Sequence, residues 1–305
     1  MDKLLVIAGP TAVGKTKLSI EIAKKFNGEI ISGDSMQVYR NLNIGTAKIQ
    51  ENEMENIPHH LIDVRNFNER FSVSDFIEVA KKLIKEINKR GKLPIIVGGT
   101  GFYLSSLLNN YQLGNDSFNQ DKRDKIEDYL EKNGKHKLWN YLFKIDPKAA
   151  INIPENNTRR VKRAIEVFEN TGELFSNQND KNDNSMDEKN IILNTDRNIL
   201  YERINTRVDK MINEGLLKEA KWLYDHRGYD YQSGKGIGYK EFNEYFKGNQ
   251  SLEESINLVK QNSRHYAKRQ LTWFRNKMNA DWFDIVKDDS KKNDIFLDIE
   301  KWMEE

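Results

Sequence analysis

Five apolar residues, Leu4-Leu5-Val6-Ile7-Ala8, run directly into Gly9-Pro10-Thr11-Ala12-Val13-Gly14-Lys15-Thr16, and nothing else in the chain narrows its fold as far. A short continuous apolar run is the pattern of a strand buried on both faces. Gly9 and Gly14 permit a tight loop whose backbone N–H groups, with the N-terminus of a following helix, point at an anion. Lys15 adds a point charge for phosphate oxygens, and the Thr16 hydroxyl is placed to meet Mg²⁺. The eight residues alone would also suit a glycine-rich turn with a helix-capping threonine. Placed after a buried strand and before a helix over 15–25, they read as a phosphate-binding loop of the nucleotide-binding type.

Further strands and helices follow in alternation. Residues 29–32 read as a second strand, and 57–64 hold a short extended piece. Phe76, Ile77, Ala80, Leu83, Ile84 and Ile87 fall at helical spacing over 74–88, with Ser74 as N-cap. Residues 93–97 form a strand ending in Gly98-Gly99-Thr100-Gly101, and a helix starts near Phe102. This is the pattern of an α/β fold, a parallel sheet wound with helices. The pattern then changes. Residues 115–175 read as polar helices, and 176–190 as a connector in which Met186 is the one apolar side chain. Ile191-Ile192-Leu193 reads as another core strand, and the chain from Leu200 is mostly helical. The expected organisation is a core over 1–111, a helical insertion over 112–188, and completion of the core with C-terminal helices over 189–305.

Composition excludes several chemistries. No residue is cysteine, which removes disulfides, thiolate zinc sites and a cysteine nucleophile. No run approaches the ~20 apolar residues of a membrane span. The few residues ahead of the loop leave no room for a signal peptide, so a cytoplasmic protein is expected. The net charge is only +2, so any polyanion surface must come from local clustering.

The loop names a ligand group and not a reaction. The strand over 93–97 ends without an acid, whereas the strand over 29–32 ends in Gly33-Asp34-Ser35-Met36-Gln37. Asp34 therefore falls at the carboxyl edge of the sheet, where ligands of open α/β folds bind. It could hold metal, accept a proton from a nucleophile, or simply cap a helix. His59-His60 has no ligand partner at suitable spacing and reads as structural.

Three basic segments contain no acid. The first holds Arg159, Arg160, Val161, Lys162 and Arg163. The second holds Lys235, Gly236, Ile237, Gly238, Tyr239 and Lys240. The third runs from Arg264 to Lys277 with Lys268, Arg269 and Arg275, among the aromatics His265, Tyr266, Trp273 and Phe274. Such segments are local footprints for a polyanion, or else ordinary solvated helix, with Tyr266, Leu271 and Phe274 as core. Leu200, Ile204, Val208 and Met211 form a buried stripe on another helix. Arg203 and Arg207 share a different face of it, which suits solvent as well as a ligand.

Gly33-Asp34-Ser35-Met36-Gln37-Val38-Tyr39, Asn43-Ile44-Gly45-Thr46-Ala47-Lys48, Pro58 to Asp63, Val97 to Gly101 and Ala267 to Arg275 occur in one order. Together with the phosphate loop they resemble the tRNA dimethylallyltransferases of bacteria, from the loop to about residue 276. The resemblance implies transfer of a dimethylallyl group from dimethylallyl diphosphate to the exocyclic amine of the adenosine 3′ of the anticodon. It implies that the loop and Mg²⁺ hold the diphosphate leaving group, with Asp34 as general base, Thr11 in the reaction channel and Arg207 on the diphosphate. It implies that Ser35, Met36, Gln37, Thr100, Arg123 and the three basic segments meet the tRNA anticodon stem-loop, in a monomer. The cysteine-bearing zinc finger of eukaryotic relatives is missing. A nucleotide kinase with Arg159, Arg160 and Arg163 in its lid, and a non-catalytic tRNA-binding module, remain open on the residues alone.

Overall fold

The computed structural model describes residues 1–109, 119–177 and 186–305. The expected boundary at 111 and 112 and the middle of the expected connector, 178–185, lie outside the described residues. In chain order the described elements are β1 (Asp2–Ala8), α1 (Lys15–Lys25), β2 (Gly28–Ser32), β3 (His59–His60), α2 (Val73–Lys89), β4 (Leu93–Gly98), α3 (Gly101–Leu108), α4 (Gln120–Ile145), α5 (Pro147–Asn152) and α6 (Thr158–Thr171). These are followed by β5 (Met186–Leu193), α7 (Arg197–Glu214), α8 (Leu216–Asp225), α9 (Asn243–Phe246), α10 (Leu252–Lys277), β6 (Asp281–Phe283) and α11 (Lys291–Glu304). Two compact units result, Met1–Leu107 with Ser185–Glu305, and Leu108–Asn184.

The first unit is an α/β sandwich around one parallel sheet in the order β3-β2-β4-β1-β5-β6. Leu4 to Ala8 are fully buried because β1 lies in the middle with neighbours on both edges and helices on both faces. The register pairs Ala8 with Gly98 and with Ile192, so β1, β4 and β5 end level. Whatever follows Ala8, Gly98 and Leu193 is thereby gathered at one edge of the sheet.

Three local expectations change. Helix α2 is capped by Ser72 rather than Ser74: its side chain accepts from the Asp75 amide while the Asp75 carboxylate accepts from the Ser72 amide. Residues 186–190, expected in the connector, are strand. They pair with Asp2 to Val6 along β1, and their charges find partners: Asp187 meets Lys3 at 3.0 Å, and Lys189 meets Asp281 at 2.8 Å and Asp298 at 2.7 Å. The edge strand β6 is three residues long with two of them exposed, too short to show a strand period in the sequence.

The second unit packs α4, α5 and α6 around Ile126, Leu138, Leu142, Ala149, Ile153, Val161 and Ile165. Gly134 breaks α4 at φ 77° and ψ 169°. Buried Asp146 caps α5 through the Ala149 amide and holds the Ser176 amide with its other oxygen.

Candidate active site

The loop after β1 is built for an anion. Gly9 has φ 147°, and a Cβ there would lie 2.4 Å from the Leu193 carbonyl oxygen at the end of β5. Gly14, at φ 91°, opens α1, and Ala12 takes the left-handed conformation with φ 68°. Buried Val13 anchors the loop between them. The Lys15 ammonium donates to the carbonyls of Gly9 (3.0 Å) and Pro10 (2.7 Å). Its pKa is pushed down to about 7 by burial and then by Arg207, against an opposing pull from Asp34. Thr11 is half-buried, and Thr16 is exposed at the loop mouth.

Helix α7 supplies the next charges. Its stripe Leu200, Ile204 and Val208 is buried, with Met211 half-buried. Arg207 lies near Lys15 and Asp34; burial lowers its pKa and Asp34 counteracts that. Arg203, one turn earlier, donates Nε to the Ala12 carbonyl at 2.7 Å. The spacing alone could not separate this from a solvated face.

Asp34 sits just past β2, and no helix follows it. Its Oδ1 accepts from the Met36 amide at 2.8 Å, so it closes a turn and caps no helix. Across the edge, the Ser35 amide donates to Thr100 Oγ1 at 3.1 Å. Tyr266 of α10 is hydrogen-bonded with Thr100, and burial and then Asp34 push its phenol up to about 12. Buried Gln270 donates to the Gly99 carbonyl at 2.7 Å, and a Cβ on Gly101 would strike the Trp273 ring at 2.5 Å. Tyr266, Gln270 and Trp273 thus form the inner face of α10, against the glycine turn of β4. The sequence pattern assigns Tyr266 to the core, leaves Trp273 among the aromatics of a basic segment, and gives Gln270 no role.

The neighbouring loop is held from behind. Gln37 accepts from Ser32 Oγ and donates to the carbonyls of Thr46 and Ala47. Glu219 accepts from the amides of Asn43, Ile44 and Gly45 and from the Tyr239 hydroxyl. Lys48, buried and so held below its usual pKa against the pull of Asp63, donates to Tyr39 O and Asp63.

A profile described as IPP transferase matches residues 37–277. The chain belongs to the IPP transferase family. It is 58% identical to the tRNA dimethylallyltransferase of Ligilactobacillus salivarius over 99% of both chains, and 51% identical to that of Enterococcus faecalis over 100% of this chain and 99% of the other. It also resembles the crystal structure of a Bacillus halodurans tRNA isopentenylpyrophosphate transferase at 49% identity and TM-score 0.76, covering 100% of this chain and 97% of that one. A eukaryotic dimethylallyltransferase described as acting on tRNA aligns at TM-score 0.81 and 32% identity, over 96% of this chain and 76% of that chain.

In this IPP transferase the basic segments divide by burial. On α6, Arg159 and Arg160 are exposed, Lys162 pairs with Glu127, and Arg163 lies 3.8 Å from Glu166. Arg123 grips Glu166 with two bonds of 2.9 and 3.1 Å. Val161 is core, which corrects its assignment to a nucleic-acid surface. In the second segment Lys235 and Lys240 are exposed and Ile237 is half-buried, whereas Gly236, Gly238 and Tyr239 are buried. A Cβ on Gly236 would lie 2.6 Å from Met36 Cε, so that glycine and Tyr239 shape the loop from inside and offer no side chain to a partner. On α10, Lys268, Arg269 and Arg275 are exposed, and His265, Lys268, Arg269 and Trp273 line a groove of about 500 Å³.

Proposed function

We propose that this enzyme transfers a dimethylallyl group from dimethylallyl diphosphate to the N6 amine of the adenosine 3′ of a tRNA anticodon, releasing diphosphate. The observation that carries the reading is that β1, β2 and β4 end level, which brings the phosphate loop after Ala8 and Asp34 after Ser32 to one sheet edge, where Lys15 and Arg207 feel the Asp34 charge. The amine nitrogen bonds to the allylic carbon, the carbon–oxygen bond to diphosphate breaks, and the departing charge develops among the loop amides, Lys15 and Arg207. Asp34 accepts the amine proton. Thr11 flanks the channel between the two. The target base leaves its stack to enter it.

Among the described residues, no cluster of three or more His, Asp or Glu could hold a metal alone. The donors present fit a cation that brings phosphate oxygens and water with it. Mg²⁺, held by Thr16 and the diphosphate, suits that need and would neutralise the leaving group.

The tRNA anticodon stem-loop would meet Ser35, Met36 and Thr100 at the site. Further contacts would come from Arg123, Arg159, Arg160, Lys162 and Arg163 in the helical unit, and from Lys235, Lys240, Lys268, Arg269 and Arg275. A tRNA substrate implies work in the cytoplasm. Among the described residues, no helix is long and apolar enough to cross a membrane. Incubation of an anticodon stem-loop RNA with the protein, Mg²⁺ and dimethylallyl diphosphate, followed by mass analysis, should show one added dimethylallyl unit on that adenosine. Unmodified RNA alongside ATP-dependent phosphorylation of a small acceptor would favour a kinase instead.

A further inference from the structure

We infer that Arg203 is a positioning residue that braces the phosphate loop in its anion-binding form by holding the Ala12 carbonyl. The inference rests on the proposed use of that loop for diphosphate. For loop amides to converge on an anion, the loop carbonyls must turn away from it and find partners elsewhere. Three of them do. Lys15 takes the carbonyls of Gly9 and Pro10, and Arg203 takes that of Ala12 at 2.7 Å. The two cations differ in what an incoming anion does to them. The Lys15 ammonium is drawn to the phosphate oxygens. Arg203 reaches the loop from α7, and its bond to Ala12 O needs no part of the ligand.

Ala12 is where a brace is needed. Its φ of 68° is a left-handed conformation that an alanine avoids when nothing holds it. Gly9 and Gly14 reach positive φ without a Cβ, whereas Ala12 has one. Arg203 and Arg207, four residues apart on one helix, therefore divide the work: Arg207 stands near Lys15 and Asp34, and Arg203 fixes the backbone that surrounds the anion.

The test is binding of inorganic diphosphate with Mg²⁺ to the full-length protein, by calorimetry, for wild type, Arg203→Met, Ala12→Gly and the double variant. Arg203→Met should weaken binding on the order of tenfold, the scale of one lost hydrogen bond from a charged donor. Ala12→Gly, which removes the left-handed penalty, should recover most of that loss in the double variant. In turnover, Arg203→Met should raise KM for dimethylallyl diphosphate and leave KM for the RNA unchanged. Undiminished diphosphate binding by Arg203→Met overturns the inference. So does a loss that Ala12→Gly leaves in place, because Arg203 would then act as a charge and not as a brace. A wild-type protein that binds no diphosphate would instead overturn the proposed function.

Discussion

Thr100 Oγ1 accepts a hydrogen bond from the Ser35 amide at 3.1 Å, tying the glycine turn after β4 to the residue next to Asp34. Tyr266 holds the same threonine from α10. The chain Tyr266–Thr100–Ser35 therefore fixes the backbone that aims the Asp34 carboxylate. Thr100→Val keeps the shape and removes the oxygen. Single-turnover transfer should slow by roughly tenfold while thermal stability falls by about 1 kcal/mol, the scale of one hydrogen bond. An unchanged rate would show that Asp34 is aimed by its own turn to Met36 alone.

For Asp34 itself the chemical and structural roles separate cleanly. Asp34→Asn retains an oxygen for the Met36 amide, so the turn survives and the melting temperature should hold. A lost general base slows reaction by ~100-fold to ~10,000-fold. Single-turnover rates and thermal melts on one preparation decide the matter: a variant that melts early yet transfers at the parent rate assigns Asp34 to the turn.

The Lys15 amine, with its pKa pushed down to about 7, makes diphosphate binding depend on pH. Only the ammonium attracts phosphate, and the bound anion raises its pKa again. Below pH 7 the lysine is already charged. Above it, binding must take up a proton, so affinity should fall by up to about tenfold per pH unit until the pKa of the complex is reached. The ligand titrates too, and Lys15→Arg provides the reference because arginine stays charged throughout. A calorimetric pH series in which wild type and Lys15→Arg run parallel from pH 7 to 9 would rule the linkage out.

The phosphate loop, the central strands and the place of Asp34 were legible because each depends on local pattern. A continuous apolar run, a glycine spacing and a strand end are all visible in one dimension. Arg203 and Gln270 were not, because their partners are backbone carbonyls of Ala12 and Gly99, far away in sequence, and a carbonyl leaves no trace in residue identity. Tyr239 misled for a related reason. Its neighbours Lys235 and Lys240 are exposed, but its hydroxyl turns inward to Glu219, so a basic stretch contained a core residue. Strand β5 began earlier than its apolar residues because ion pairs with Lys3, Asp281 and Asp298 accommodate Asp187 and Lys189.

Glu29 predicts an acid sensitivity distant from the chemistry. Burial pushes its carboxyl up, but His60 (2.8 Å), Arg90 (2.7 Å) and Lys92 (3.0 Å) outweigh that and hold it at about 2, below the ordinary 4.5. The folded pKa is the lower one, so the stabilisation is complete above about 4.5 and is lost as pH falls towards 2. A shift of that size corresponds to about 3 kcal/mol. Glu29→Gln should therefore be less stable than wild type at pH 7 in urea unfolding, by an amount of this order, and the gap should narrow between pH 4.5 and 3. A gap independent of pH would mean that packing, not charge, is what Glu29 contributes.

Arg159 and Arg160 are exposed at the start of α6, and neither makes an ion pair among the described residues. Lys162 and Arg163, by contrast, lie against Glu127 and Glu166, so part of their charge is already answered. The acid-free appearance of this segment in sequence thus overstates its free charge, and Arg159 and Arg160 are the pair expected to reach phosphates. Replacing both with glutamine should weaken binding of an anticodon stem-loop and leave the single-turnover rate at saturating RNA intact. Each lost phosphate contact lowers the slope of log affinity against log salt by about 0.9 in duplex and about 0.7 in single-stranded RNA. The double variant should therefore flatten the slope by ~1.4 to ~1.8. Glu127→Gln supplies the converse test, since it releases Lys162 and should steepen the slope. An Arg159/Arg160 variant with the parent slope, or one that loses turnover at saturation, would remove these two residues from the binding surface or move them into the chemistry.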